Sequence, residues 1–247
     1  MRGTVLITGD SGAIGSATTH SFLQSGWTVL GVDLVDRDRE LGDSYVSRKA
    51  DVTSEDELQR AIGVLGAMPP LRHVVAVAGG ALPEEPRTQD DPAAIEVSTF
   101  RDSLDRNLTS QFVTIKTALP WLMMDDTGDR SIALTSSFNA LSTQGMPAYS
   151  AAKAGLVGLM NALVRPLGEK GIRINVVAPG TIRTPRTEQI WSHVPDHFER
   201  LGSEAALGRV GVPEDVASVF HALAVEMTHV TGQVLVVDGG QTSATPA

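Results

Sequence analysis

Seven short apolar runs, most of them rich in β-branched residues and separated by stretches of helical period, constrain this chain more than any other feature. The runs cover 4–8, 28–32, a weaker 45–50, 73–77, 131–135, 173–177 and 233–237. Between them, helical patterns cover 13–24, 55–65 and 148–168, with one or two helices within 100–124. Thr53 or Ser54 is the expected cap of the second helix. Strands that are apolar without alternation are buried on both faces, and helices between them supply the crossovers that parallel pairing needs. The pattern therefore predicts an α/β, doubly wound Rossmann-type fold: a seven-stranded parallel sheet with helices on both faces. In such sheets ligands sit beyond the carboxyl ends of the strands, so residues just after strands carry the functional expectation.

Composition narrows the function. With 42% hydrophobic and 20% charged residues and no low-complexity linker, the 247 residues are expected to form one domain, 1–247. No apolar run reaches the length of a membrane span. The first ten residues lead into a glycine loop rather than a cleavage site, so a cytoplasmic protein is expected. The absence of cysteine removes disulfides, thiol nucleophiles and cysteine metal sites. His193 and His197 stand four apart, but Val194, Pro195 and Asp196 between them disfavour a helical zinc face, so no metal is expected. A net charge of −9 argues against nucleic acid and anionic membrane as partners and leaves a small molecule.

The first strand runs into Thr8-Gly9-Asp10-Ser11-Gly12-Ala13-Ile14-Gly15, which opens the first helix. Glycines there allow a tight turn and let a phosphate approach the backbone N–H groups of a helix N-terminus. The second strand ends at Asp33, 18 residues beyond Gly15. A carboxylate in that place can accept hydrogen bonds from ribose hydroxyls and repels a 2′-phosphate. NAD is the expected cofactor. Arg37 and Arg39 keep NADP possible, and a simple turn cap is the other reading of Asp33.

Tyr149 and Lys153, in Y-S-A-A-K on the 148–168 helix, fall on one helix face. An ammonium beside a phenol favours phenolate, which suits proton transfer near neutral pH. The spacing alone is a common accident, and Ser136-Ser137 at the end of the fifth strand adds the hydroxyl such chemistry uses.

Taken in order, these motifs resemble the short-chain dehydrogenase/reductase family in its single-domain branch, over nearly the whole chain. Asp51-Val52-Thr53 matches the adenine-contacting position and Ala76-Val77-Ala78-Gly79 the family's Asn-Asn-Ala-Gly. Asn107 matches the proton-relay asparagine, and Ser136, 13 residues before Tyr149, has the spacing of the catalytic serine. Pro179, Gly180, Ile182 and Thr184 match the segment that closes around nicotinamide, and 209–217 with 231–240 resembles the C-terminal signature. Two departures stand out. The loop has a G-x-x-G-x-x-G spacing like that of the extended branch, and the asparagines at Ala76 and Val77 are missing, which bears on cofactor affinity and rigidity.

The resemblance implies hydride transfer between a nicotinamide cofactor and a secondary alcohol or ketone. Tyr149 would be general acid/base, Lys153 would lower its pKa and hold the nicotinamide ribose, Ser136 would bind the substrate oxygen, and Asn107 would hold a relay water. The implied cofactor contacts are Gly9, Ser11, Gly12, Ala13, Ile14, Gly15, Asp33, Asp51, Val52, Ala78, Gly79, Tyr149, Lys153, Pro179, Gly180, Ile182 and Thr184. Ser137 in place of Ser136, and Asn107 as a helix brace only, are the alternatives. Residues 184–207, with Ile190, Trp191, His193, Val194, His197 and Phe198, read either as a substrate lid or as a packed surface helix. The acidic segment 81–92 is expected to be exposed. The small residues Ala151, Ala152, Ala154, Gly155 and Gly158 allow close helix packing, and the family pattern implies a homotetramer, with a dimer as the alternative. The competing functions are an NADPH-dependent ketoreductase on an acyl or polyketide thioester, and a catalytically silent dinucleotide-sensing module.

Overall fold

The computed structural model describes residues 2–35, 41–85, 91, 93–142 and 145–242. Strands β1 (Thr4–Thr8), β2 (Thr28–Asp33), β3 (Tyr45–Lys49), β4 (Leu71–Ala76), β5 (Arg130–Thr135), β6 (Ile172–Pro179) and β7 (Val234–Val237) pair in parallel. Their order is β3-β2-β1-β4-β5-β6-β7. The chain winds outward from β1 in one direction and resumes at β4 in the other, so the crevice beyond β1 and β4 is the switch point of the sheet.

Side chains along each strand alternate between two cores. Val5, Ile7 and Val29 pack with Phe22 of α1 (Ala13–Gln24) and Phe220 of α8 (Pro213–Val225). Leu6, Leu30 and Ile132 face the opposite layer: α2 (Glu55–Ile62), α4 (Ser110–Met123) and α5 (Pro147–Gly168), with Leu58, Leu122, Leu156 and Met160. Each fully buried aliphatic side chain contributes about 2 kcal/mol from burial alone. The remaining helices are α3 (Val97–Leu104), α6 (Pro185–Trp191) and α7 (His197–Glu204). No helix of the described residues is long and apolar enough to cross a membrane.

The sequence expectations differ from the structure mainly at boundaries. Ser54, rather than Thr53, caps α2 by accepting from the Glu57 N–H. The helix expected to reach 65 tightens after Ile62 into a 3₁₀ turn, Gly63–Ala67, where two glycines weaken the α-helical preference. The 100–124 stretch begins earlier, at Val97, and its two helices join through a π turn, Asp105–Thr109, that carries Asn107.

Candidate active site

At the nucleotide end, close approach dictates two glycines. Gly9 has φ +71, and a Cβ there would stand 2.5 Å from the Ala78 backbone N, so the loops after β1 and β4 touch at the switch point. A Cβ on Gly15 would stand 2.2 Å from the Gly9 carbonyl oxygen. Gly12 begins α1 without a side-chain cap, which leaves the first-turn N–H groups of Ala13 and Ile14 for an outside acceptor such as a phosphate. Asp33 accepts the Ser11 N–H at 2.9 Å and the Val35 N–H at 3.3 Å, so the carboxylate at the end of β2 also fixes the glycine loop. Asp51 accepts both the N–H and the hydroxyl of Thr53, beside buried Val52. Arg37 and Arg39 lie outside the described residues. This arrangement of uncapped helix start, glycine cradle and ribose-side carboxylate fits a dinucleotide.

The sequence reading missed what lies beneath the loop. Asp10 is fully buried and accepts the Tyr45 hydroxyl at 2.7 Å. A Cβ on Gly31 would fall 1.8 Å from the same carboxylate oxygen, so the glycine in β2 makes the room.

At the catalytic end, α5 brings Tyr149 and Lys153 to one face, with the ammonium 5.6 Å from the phenol ring centroid. Lys153 is 2% exposed and donates to the Thr135 carbonyl at 2.8 Å, and burial lowers its pKa to about 7. The expected lowering of the phenol by this lysine is not what dominates. Burial pushes Tyr149 above its ordinary value, Ser137 hydrogen bonding and the Arg186 charge pull it down, and Glu85 pushes it up.

The two serines face opposite ways. Ser136 is buried and donates to the Lys153 backbone carbonyl at 2.7 Å, bracing β5 against α5. Ser137 is the one that hydrogen-bonds the Tyr149 phenol, and it also accepts the Asn139 N–H at 3.2 Å. Of the two serines, Ser137 rather than Ser136, the one expected from its spacing, is turned toward the phenol, because alternate residues of an extended chain point to opposite sides.

Asn107 comes to the site as a brace. Its Oδ1 accepts the Gly80 N–H at 2.8 Å, and its Nδ2 donates to the carbonyls of Gly80 and Ser103. A Cβ on Gly79 would stand 2.7 Å from Asn107 Oδ1 and 3.3 Å from Lys153 Nζ, so the motif glycine brings both groups together. The missing asparagines of the β4 end have a substitute. The Thr135 hydroxyl donates to the Ala76 carbonyl at 2.6 Å, and the Gln111 amide pairs with both the N–H and the carbonyl of Thr135.

After β6, Gly180 packs so closely that a Cβ would lie 2.6 Å from that of Asp238. Ile182 is buried in a bridge with Gly211, and Thr184 caps α6 through a reciprocal box with Thr187. Residues 184–207 form α6 and α7, with Trp191 stacked on His197 at 3.9 Å. Arg186 of α6 reaches across to donate to the Ala81 carbonyl at 2.6 Å, so the segments after β4 and β6 meet there. Glu85, expected in an exposed acidic segment, is instead buried. Neither Glu85 nor Arg186 carried a sequence signal, since both act on residues more than 60 positions away.

A glycine cradle at a switch point and a Ser-Tyr-Lys cluster beside it define a nicotinamide-dependent oxidoreductase. Comparison with known proteins agrees. A family model described as enoyl-(acyl carrier protein) reductase matches residues 9–242. An uncharacterized oxidoreductase of Schizosaccharomyces pombe is 35% identical over 248 residues, covering 98% of this chain and 92% of that protein. The 3-oxoacyl-[acyl-carrier-protein] reductase of Thermotoga maritima is 32% identical over 252 residues, covering 95% and 96%. The crystal structure of a short-chain dehydrogenase/reductase family oxidoreductase from Burkholderia thailandensis superposes with a TM-score of 0.86 at 32% identity, covering 98% of this chain and 94% of that one. The chain belongs to the short-chain dehydrogenase/reductase family and is an NAD(P)-dependent dehydrogenase/reductase.

Proposed function

We propose that the protein interconverts a secondary alcohol and a ketone, with NAD as cofactor and Tyr149 as general acid/base. The observation that carries this reading is the Tyr149 phenol hydrogen-bonded to Ser137, with Lys153 buried behind it at Gly79. When bound, the nicotinamide supplies the hydride chemistry. Tyr149 gives its proton to the carbonyl oxygen in reduction and takes one from the hydroxyl in oxidation. The Ser137 hydroxyl donates to the same oxygen and steadies the charge that develops there. Lys153 stands where it can bind the ribose, and in its protonated form it places a positive charge beside the phenol. Asn107 holds Gly80 and thereby the wall of the pocket. Tyr149→Phe is expected to leave nucleotide affinity unchanged and to lower kcat by about 10²–10⁴-fold; wild-type turnover in this variant would sink the assignment.

The Asp33 carboxylate, placed where ribose hydroxyls arrive, supports NAD over NADP. A second reading, an NADPH-dependent ketoreductase on an acyl thioester, draws on the name of the Thermotoga relative and the description of the family model. Titration with both nucleotides, followed by a screen of alcohols, ketones and 3-oxoacyl thioesters read by nicotinamide absorbance, separates the two. Residues 184–207 are the proposed substrate lid, since α6 crosses to Ala81. A homotetramer is proposed on the exposed Phe112 and Met123 of α4, the exposed small residues Ala151 and Ala154 of α5, and Val236 exposed on edge strand β7. A monomer in sedimentation at micromolar concentration would overturn it.

A further inference from the structure

Glu85, between β4 and α3, is 5% exposed, and a carboxylate that deep is held by partners. One of its oxygens accepts the N–H of Ala148 at 2.7 Å and that of Tyr149 at 2.9 Å; the other accepts the Ser103 hydroxyl at 3.2 Å. These contacts answer a specific need of α5. Its N-cap residue, Met146, provides no side-chain cap, Pro147 has no N–H, and the Ser150 N–H is bonded to the Met146 carbonyl. Ala148 and Tyr149 are thus the two first-turn donors left over, and a single carboxylate takes both. A negative charge at a helix N-terminus is also favoured by the helix dipole. One of the two N–H groups is that of Tyr149 itself.

The bonds continue into the pocket wall. Ser103 receives Asn107 Nδ2 on its carbonyl, Asn107 Oδ1 holds the Gly80 N–H, and a Cβ on Gly80 would lie 2.7 Å from the Arg186 guanidinium. The charged groups around the phenol are therefore Lys153 on its own helix, Glu85 from the segment after β4 and Arg186 from α6, with the neutral Ser137 at the end of β5.

We propose that Glu85 is a positioning residue of the active site: reaching from the segment after β4, its carboxylate caps the first turn of α5, fixes where the Tyr149 phenol stands and keeps a negative charge beside it. This goes beyond the acid/base role of Tyr149, on which its kinetic consequence rests. The same carboxylate thus ties the segment after β4 to the first turn of α5, where the acid/base group stands.

The test exploits the chain having only two tyrosines, Tyr45 and Tyr149. Tyrosinate absorbance of the full-length unliganded protein, less that of Tyr149→Phe, isolates the Tyr149 titration and needs no turnover. Glu85→Gln keeps an acceptor oxygen for both N–H groups but loses the charge, so the Tyr149 midpoint should fall by about half a pH unit or more. Its pH profile of kcat/KM should move in the same direction. Glu85→Ala should lower kcat about tenfold or more with the KM for nucleotide within about twofold, since misplacing the acid/base group affects chemistry rather than cofactor binding. If Glu85→Ala does not fold, Glu85→Asp, one methylene shorter, takes its place with a smaller loss of kcat. An unmoved Tyr149 midpoint in Glu85→Gln overturns the proposal, as does a fall in melting temperature with kcat unchanged in the shortened variant. If the wild type turns over no alcohol or ketone, the oxidoreductase reading fails, while the absorbance titration still decides the place of Glu85.

Discussion

Burial holds the Lys153 amine at about 7 against an ordinary value of 10.5, so the unfolded chain binds a proton that the folded protein resists. At about 1.4 kcal/mol per pH unit, this difference penalises the native state by about 4 kcal/mol at pH 7. The sign follows from proton counts: between pH 7 and 10.5 the unfolded state carries the extra proton, so wild-type stability rises with pH across that window. Lys153→Met keeps the unbranched shape and removes the charge. It loses the hydrogen bond to the Thr135 carbonyl, worth about 1 kcal/mol, and that oxygen keeps its bond from Gln111 at 2.9 Å. Repacking the thioether costs about 1 kcal/mol more. The variant should therefore be about 2 kcal/mol more stable than wild type at pH 7, and inactive. By pH 10 the balance should move by about 3 kcal/mol in favour of wild type, leaving the variant about 1 kcal/mol the less stable. Urea unfolding followed by tryptophan fluorescence at pH 7, 8, 9 and 10, without nucleotide, measures both numbers. A difference that does not vary with pH, or a variant less stable at pH 7, would refute the claim that Lys153 is held under strain for catalysis.

Ser137→Ala should lower kcat by about 10²-fold, whereas Ser136→Ala should cost about 1 kcal/mol of stability and leave kcat much closer to wild type; the reverse ranking would return the catalytic role to Ser136. His73, buried against Trp27 and bonded to Ser131, is lowered to about 3 by burial, so between pH 6.5 and 3 only the unfolded chain takes the proton and stability falls as pH falls. The loss is about 2 kcal/mol at pH 5 relative to pH 8, and His73→Asn should flatten that slope in urea melts at the two pH values. Asp33→Ala should shift the ratio of NADP to NAD affinity by about 10- to 100-fold, the removal of roughly 1–3 kcal/mol of repulsion at a partly exposed site. Calorimetric titration with both nucleotides reads that ratio, and an unchanged ratio argues that Asp33 serves only to hold Ser11.

What was legible in the sequence is what repeats locally. β1, β5 and β6 are buried along their whole length and carry apolar centres because both faces are covered, and their order with the helices is enough to give the sheet and its switch point. Gly9 and Gly15 were legible for a related reason: the constraint on them is a backbone contact within a single strand-loop-helix unit or across the switch point. The sequence could not separate the parts of Ser136 and Ser137, because spacing to Tyr149 is counted through the 3₁₀ turn Phe138–Ala140, where one residue more or less leaves no trace. In an extended chain a slip of one residue reverses the face, so a small counting error becomes a different hydrogen bond. Glu85 was illegible for another reason. A cap is normally sought just before its helix, and Met146 offers none, so nothing near α5 points 60 residues upstream.

The missing asparagines at Ala76 and Val77 illustrate how a departure from family pattern is absorbed. Their absence leaves the end of β4 without side-chain donors, and a buried carbonyl there still needs a partner. Thr135, at the end of the neighbouring strand, provides one: its hydroxyl goes to Ala76, its N–H and carbonyl to Gln111, and the same carbonyl accepts Lys153. One residue thus ties β4, β5, α4 and α5 together at the catalytic lysine. Since Thr135 Oγ is that tie, removing it frees the Ala76 carbonyl and loosens the strand end on which Lys153 is anchored. The loss of the usual brace has moved the rigidity of the sheet centre into the active site itself, where stability and catalysis depend on the same atoms.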